Sequence, residues 1–369
     1  MTTTPPPASA TTLYPRNEDE LVEAVRATPR VIPIGTRTKP RLSEVDAVPI
    51  SLRELSGITE YEPEEFTFTA RAGTPVREIV AALAAKGQHL PFDPMFAAAG
   101  ATIGGTLASG VSGPGRVRYG SLRDFVLGMR FVDGTGRAMR AGGKVVKNAA
   151  GFDLPKFFVG SLGRFGVFTE ITFKVFPTPR AVRVLELPVS SHAAAAVLLR
   201  ALQVGRWEPR TLEYDPAARV VHASFGGFDS AVDALAADIL SRHPGRVLAP
   251  ETAVAHADAA RACAWAHADG PLWQVAIDQH VLAPLGTELD AIEGVRWRCL
   301  AADDVSMLSL PAHADPDPVD HVLREHGVAA LALRGPGPLR PGETRAAAAV
   351  EARVKAVLDP VGRFPGLDD

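Results

Sequence analysis

The chain has 369 residues, 46% of them hydrophobic and 22% charged, with a formal net charge of −3. That length exceeds one ordinary core and predicts two domains, while the near-neutral balance, with no basic block, excludes a nucleic-acid surface. No apolar run approaches the ~20 residues a membrane-spanning helix needs, and two cysteines, Cys263 and Cys299, are too few to hold an iron–sulfur cluster.

The start, MTTTPPPASATT, lacks the basic and apolar regions of a secretory signal and reads as a disordered tail over 1–12. With two cysteines and no such signal, a cytoplasmic location is expected. Asn17 is placed to cap a helix whose first turn carries Glu18, Asp19 and Glu20 and whose buried face is Leu21, Val22 and Val25. A short strand over 31–34 leads into the polar loop Gly35-Thr36-Arg37-Thr38-Lys39. The alternation of 66–70 predicts a strand, and Thr74-Pro75 starts a helix, with proline at its first position, that Gly87 ends.

Sixteen of the 33 glycines fall between Gly100 and Gly166. Glycine loses the most entropy on folding, so such a concentration needs a reason, and close approach of backbone to a large ligand is one. Within it, Thr102 is expected to cap a helix running to Ser109, with exposed N–H groups at its start that attract an anion. Strands are expected over 125–133 and 166–176, with Asp133-Gly134 turning into 137–140. Asp153 is placed to cap a short helix over 154–159. Pro177 and Pro179 mark a domain boundary. Beyond Arg180, alanine replaces glycine; strands are expected over 184–189, 220–225, 272–277, 295–300 and 331–334, and helices over 230–241, 252–267, 318–325 and 343–358.

Neither G-x-G-x-x-G after a strand in this glycine region nor G-x-x-x-x-G-K-[ST] is present, which argues against a Rossmann site and a P-loop. Instead the strings ATIGGTLASGVSGPGRVRYGSLRDFVLG (101–128) and GGKVVKNAAGFDLPKFFVGSLGRFGVFTEITFKV (142–175) resemble the FAD-binding half of the vanillyl-alcohol-oxidase (PCMH-type) flavoproteins. Within that superfamily the chain is most similar to the FAD-binding E subunits of bacterial glycolate oxidase, strongly over 30–180 and more loosely over 181–369.

The resemblance implies an α+β fold: a two-part PCMH-type FAD-binding domain over 13–180, a small α+β cap over 181–330, and a segment over 331–369 that returns to the FAD domain. It implies that Gly35, Thr36, Arg37, Thr38 and Lys39 form the first pyrophosphate loop, where many members have three glycines and this chain has only Gly35. It implies that Thr102, Gly104, Gly105, Thr106 and Ser109 form the second FAD loop. Tyr119, Gly120 and Asp124 match the next cluster, and Gly166 and Val167 a backbone edge that meets the nucleotide. Lys147, Asn148 and Asp153 match a string that packs around the site. No histidine or cysteine lies in 35–39, where some relatives attach flavin covalently, so FAD is expected to be noncovalent.

Oxidising a 2-hydroxy acid requires a base for the hydroxyl proton and a cation for the carboxylate. The candidates are His280, His89, Arg116, Arg118 and Arg334. The histidine-rich metal motif of larger lactate-oxidising relatives is absent, and no metal site is expected from His313, His321 and His326; His256 and His267 read as solvated. The expected activity is oxidation of glycolate or a related small 2-hydroxy acid, with electrons leaving to an iron–sulfur subunit and a second flavin subunit, through which the protein could meet the inner membrane. Two alternatives stand beside it: an independent flavoenzyme for D-lactate or another alcohol, and an FAD-binding relay or assembly subunit without substrate chemistry.

Overall fold

The computed structural model describes residues 11–143, 153–302, 304–342, 348–366 and 369. Most of the tail expected over 1–12, and Lys147 and Asn148, lie outside them. The first described residues are tied down: Leu13 N–H donates to Pro49 O at 2.9 Å.

The N-terminal half is built on a five-stranded antiparallel sheet in the order Ile58–Glu62, Thr67–Arg71, Val167–Lys174, Val126–Val132, Ala138–Gly142. Its long central strand brings the end of the glycine-rich stretch beside residues a hundred positions earlier. A separate parallel pair, Val31–Ile34 with Val48–Ser51, carries the polar loop at 35–39 on its end. Asn17 caps the helix Glu18–Ala27, accepting from Glu20 N–H at 2.9 Å, and Leu21 and Val25 are buried beneath it. Glu18 reaches back to Arg130, which lowers its pKa, and accepts from the Thr169 hydroxyl at 2.9 Å. Pro75 is the residue before the helix Val76–Ala84 rather than its first; its extended ψ of 132 sets the entry, and Gly87 at φ +65 ends the turn.

The second half is an eight-stranded antiparallel sheet in the order Arg246–Val247, Ala181–Pro188, Val220–Gly227, Thr211–Asp215, Arg296–Ala301, Val305–Ser309, Leu272–Val275, Ala330–Arg334. The strand containing Leu331 pairs with Leu272–Val275 in this sheet. Alternation sorts its residues between two buried faces. Leu272, Leu300, Met307 and Leu333 join the core of the N-terminal half, whereas Trp273, Cys299, Leu308 and Ala332 pack beneath the helices. Those helices include His192–Val204 and Gln279–Ala291, neither expected from the sequence, together with Asp229–Leu240 and Asp317–Glu325.

The closing helix Ala348–Leu358 leads back to the first half. Leu358 and Phe364 are buried in its core, Gly134 N–H donates to Leu358 O at 2.8 Å, and Val31 N–H donates to Arg363 O at 2.8 Å. The Asp359 carboxylate, almost fully buried, accepts from the N–H groups of Arg363 and Phe364 and from Lys355 Nζ. Both cysteines are buried, as thiols outside any disulfide among the described residues.

Candidate functional site

The loop 35–39 is held open from below by the second glycine loop. Thr36 Oγ1 donates to Gly100 O at 2.7 Å, and a Cβ on Gly35 would lie 2.4 Å from Thr102 Oγ1, so only glycine lets the two loops meet there. Arg37 adopts a left-handed φ of 56. Among the described residues, none of the five main-chain N–H groups of 35–39 has a hydrogen-bond partner. Four of these five residues are half-buried or exposed, so their amides are open to an acceptor-rich ligand entering the cleft.

Lys39 strengthens that reading. It is 8% exposed, and no carboxylate pairs with it. Its Nζ lies 3.5 Å from Thr38 Oγ1 and 5.5 Å from the centre of the Phe96 ring. Burial pushes its pKa down to about 8. An ammonium withdrawn from water without an anion is destabilising on its own and fits a ligand that brings negative charge.

The helix Ile103–Ser109 plays a different part from the one expected. Its first amides are already engaged: Ile103 with Thr74 O, Gly104 with Ala72 O, Gly105 with Thr102 Oγ1, and Thr106 with Thr102 O, at 2.8–3.2 Å. The free donors come from 35–39 instead. Gly104 serves close packing, because a Cβ there would stand 2.7 Å from Ala72 O and 2.8 Å from Ala72 Cβ. The helix presents Ser109 and its small N-terminal turn as one wall of the cleft.

Of the residues singled out from the sequence, Gly35 through Lys39, Thr102, Gly104, Gly105, Ser109 and Gly166 line this cleft. Thr106 is buried behind it, its hydroxyl donating to Thr102 O at 2.9 Å, and Val167 is a core strand residue. Gly120 and Asp124 form a turn of their own: Asp124 accepts from Ser121 N–H at 2.8 Å, and Gly120 has φ +90. Tyr119 packs edge-on against His89, 5.6 Å between ring centres. Asp153 caps the turn Leu154–Phe157, accepting from Lys156 N–H at 3.3 Å. The apolar walls, Leu42, Leu52, Leu162 and Phe168, were not readable as site residues, since each looks like ordinary core.

A second cavity, of about 350 Å³, continues from the cleft by sharing Ser109 and Leu162 with it. It lies between the two halves of the molecule. Arg116, Arg123 and Arg340 line it, together with Gln274 of the larger sheet. Arg116 pairs with Asp304 at 3.1 Å, while the Arg123 guanidinium has no partner among the described residues. No histidine or carboxylate of the described residues lines it. Arg123, Arg340 and Gln274 are additions to the sequence reading.

The other candidates lie elsewhere. Arg118 pairs with Glu208 at 2.7 Å, and Arg334 holds the main-chain oxygens of Gly270 and His267. His280 is exposed at a helix start, lining neither cavity. His89 lines a third cavity, with its pKa lowered by burial and by nearby Arg210. His256 is not solvated: its ring lies tilted against His222, 4.1 Å between centres, and its Nε2 is 3.3 Å from Glu213 Oε2. His267 lies beyond its expected helix, which ends at Ala262, and its Nε2 faces Gly294 O at 2.8 Å.

A cleft with free main-chain donors, an unneutralised buried lysine and an adjoining cavity suits an elongated ligand that carries negative charge. Comparison with known proteins agrees. The family model described as FAD binding domain matches residues 9–142. The glycolate oxidase subunit GlcE of Escherichia coli (strain K12) is 42% identical over 186 residues, covering 50% of this chain and 51% of that protein. The glycolate oxidase subunit GlcD of Bacillus subtilis (strain 168) is 30% identical over 209 residues, 55% of this chain and 44% of that one. A D-lactate dehydrogenase of Anaerostipes hadrus is 30% identical over 187 residues, 50% and 39%. A solved structure of alkyldihydroxyacetonephosphate synthase shares the fold, with a TM-score of 0.68 at 18% identity over 95% of this chain and 76% of that one. The alignments span about half the length of the curated relatives or less. The chain carries a PCMH-type FAD-binding domain, and FAD is its cofactor. Among the described residues no helix is long and apolar enough to cross a membrane.

Proposed function

We propose that the protein oxidises glycolate or a related small 2-hydroxy acid as the FAD-binding subunit of a multi-subunit glycolate oxidase, passing electrons to an iron–sulfur partner and a second flavin subunit. The observation that carries the reading is the continuity of two features. The free amides of 35–39 and Lys39 suit the diphosphate, and the adjoining cavity offers arginines to a carboxylate. FAD, when bound, supplies the acceptor for the hydride equivalent leaving the substrate. The chain's own residues bind and exclude. Lys39 and the loop donors neutralise phosphate oxygens, Thr102 and Ser109 shape the wall, and Leu162 and Phe168 keep water from the cleft. Arg123, whose charge is unspent, is assigned to hold the carboxylate, with Arg116 and Arg340 beside it. FAD is held without a covalent bond.

One observation favours a second reading, an FAD-binding relay or assembly subunit without substrate chemistry: the described wall of the arginine-lined cavity holds no base to take the hydroxyl proton. Anaerobic glycolate added to the purified FAD-loaded chain separates the two. Bleaching of the flavin absorbance supports catalysis by this chain. Bleaching only when partner subunits are added supports the relay, and no bleaching in either case rejects both.

A further inference from the structure

The third cavity, of about 320 Å³, is separate from the two just described and shares no lining residue with them. The short helix Arg116–Tyr119 divides them: Tyr119 faces this cavity, and Arg116 faces the other. It too lies between the halves of the molecule, with His89, Pro91 and Pro114 on one side and Val184, Arg210 and Ser224 on the other.

Its charges do not cancel. Asp93 is paired with Arg261 at 3.1 Å, and Glu213 lies 3.3 Å from His256 Nε2, an ion pair when that imidazole is protonated, towards which its raised pKa leans. Arg210 has no carboxylate partner among the described residues, and its Nε is buried without a hydrogen bond. His89 also faces this cavity, its ring beside the main chain of Phe176 and Pro177. Hydroxyls of Thr211 and Ser224, 2.8 Å apart, and the apolar side chains of Leu90 and Val184 complete the lining. A half-buried guanidinium without a counter-ion, its Nε withdrawn from water and unpaired, leaves a place in this cavity for an anionic group.

We propose that this cavity is a second ligand site, taking a small aliphatic monocarboxylate whose carboxylate pairs with Arg210 and whose edge meets His89. A single unspent cation selects one negative charge, and the apolar walls select a short hydrocarbon body. The proposal is independent of the oxidation assigned to the arginine-lined cavity.

Butyrate, which has no 2-hydroxyl to lose, is the probe. Calorimetric titration of the full chain, with and without FAD, is expected to give one saturable site of equal affinity in both states. Arg210→Met is expected to weaken it at least tenfold with FAD content unchanged, and His89→Phe to weaken it less. Val254→Trp, which fills the cavity from an exposed helix position, is expected to abolish binding and covers the case in which Arg210→Met does not fold. No saturation, unchanged affinity in the folded Arg210→Met or in Val254→Trp, loss on FAD loading, or loss in Arg123→Met would each overturn the proposal, the last two by placing butyrate in the flavin site.

Discussion

A buried ammonium without a counter-ion lowers the stability of the protein that holds it until an anion arrives. Lys39 is in that position, and its effects are testable in both directions. Its folded pKa of about 8 lies below the usual 10.5, so the unfolded chain binds more protons between those values. Stability of the cofactor-free protein therefore rises with pH across that window, by about 3 kcal/mol at most. Lys39→Met is expected to make the cofactor-free protein more stable than the parent at pH 7 in urea unfolding. The same substitution should weaken FAD binding at least tenfold, the loss of one charge-assisted contact of about 1.5–3 kcal/mol. FAD affinity of the parent should fall as pH rises beyond about 8 and stay flat in the variant; parallel pH curves would show that the ammonium does not face the phosphates.

Elements carry the next set of effects. The helix Ile103–Ser109 touches the strand end at Ala72 so closely that Gly104→Ala must displace one of them. Overpacking of this kind costs about 1–3 kcal/mol. Gly105→Ala, with 3.1 Å to Thr102 Oγ1, asks for much less. Melting with and without FAD should therefore separate the two: a clear drop for Gly104→Ala in both states, and a small change for Gly105→Ala. In the larger sheet, burial and then the neighbouring His256 push the His222 pKa down to about 4. A depressed histidine favours its neutral form when folded. The unfolded chain then binds the extra proton as pH falls from 6.5 towards 4, and stability on the order of 3 kcal/mol is lost over that range. His222→Phe should flatten the loss between pH 7 and 4.5; an unchanged slope would point to other groups.

Local rules gave several of these elements, and their limits are physical. Asn17 before three acidic residues, and Thr102 before a small-residue helix, are capping signals that need no partner from elsewhere. The strand Val305–Ser309 is buried on both faces, so no polar alternation announces it. His192–Val204 is an alanine- and leucine-rich run whose start depends on Ser191 accepting from Ala194 N–H. The loop 35–39 stands out in the sequence as short, polar and directly after a strand. That its amides, and not those of the following helix, are free depends on Ala72 and Thr74 arriving from another strand end. Arg123 and Arg340 are 217 positions apart, and only the closure of the larger sheet over the N-terminal half brings them to one cavity.

At the scale of the whole molecule, the closing segment ties distant parts together. Asp359 is central: a Cβ on Gly134 would stand 2.1 Å from its carboxylate, and Arg363 donates to Gly134 O at 2.8 Å. Asp359→Ala removes the carboxylate beside half-buried Lys355, which keeps the carbonyls of Arg164 and Phe364, and leaves two main-chain donors without their acceptor, which should lower stability by about 3 kcal/mol. A denaturation midpoint within error of the parent would show the segment to be dispensable. The interdomain pairs Arg118–Glu208 and Arg116–Asp304 are half-exposed on at least one side and add little to stability, about 0–1 kcal/mol each. The apolar strand faces that join the first core hold the halves together instead.

With Lys39 assigned to the phosphates of FAD, its unmatched charge is expected to tie protein abundance to vitamin supply. Copies made when flavin is scarce remain in the less stable form, unfold more often, and are the first that proteases remove. Pulse-chase in riboflavin-starved cells should show a shortened half-life for the parent chain and a smaller shortening for Lys39→Met.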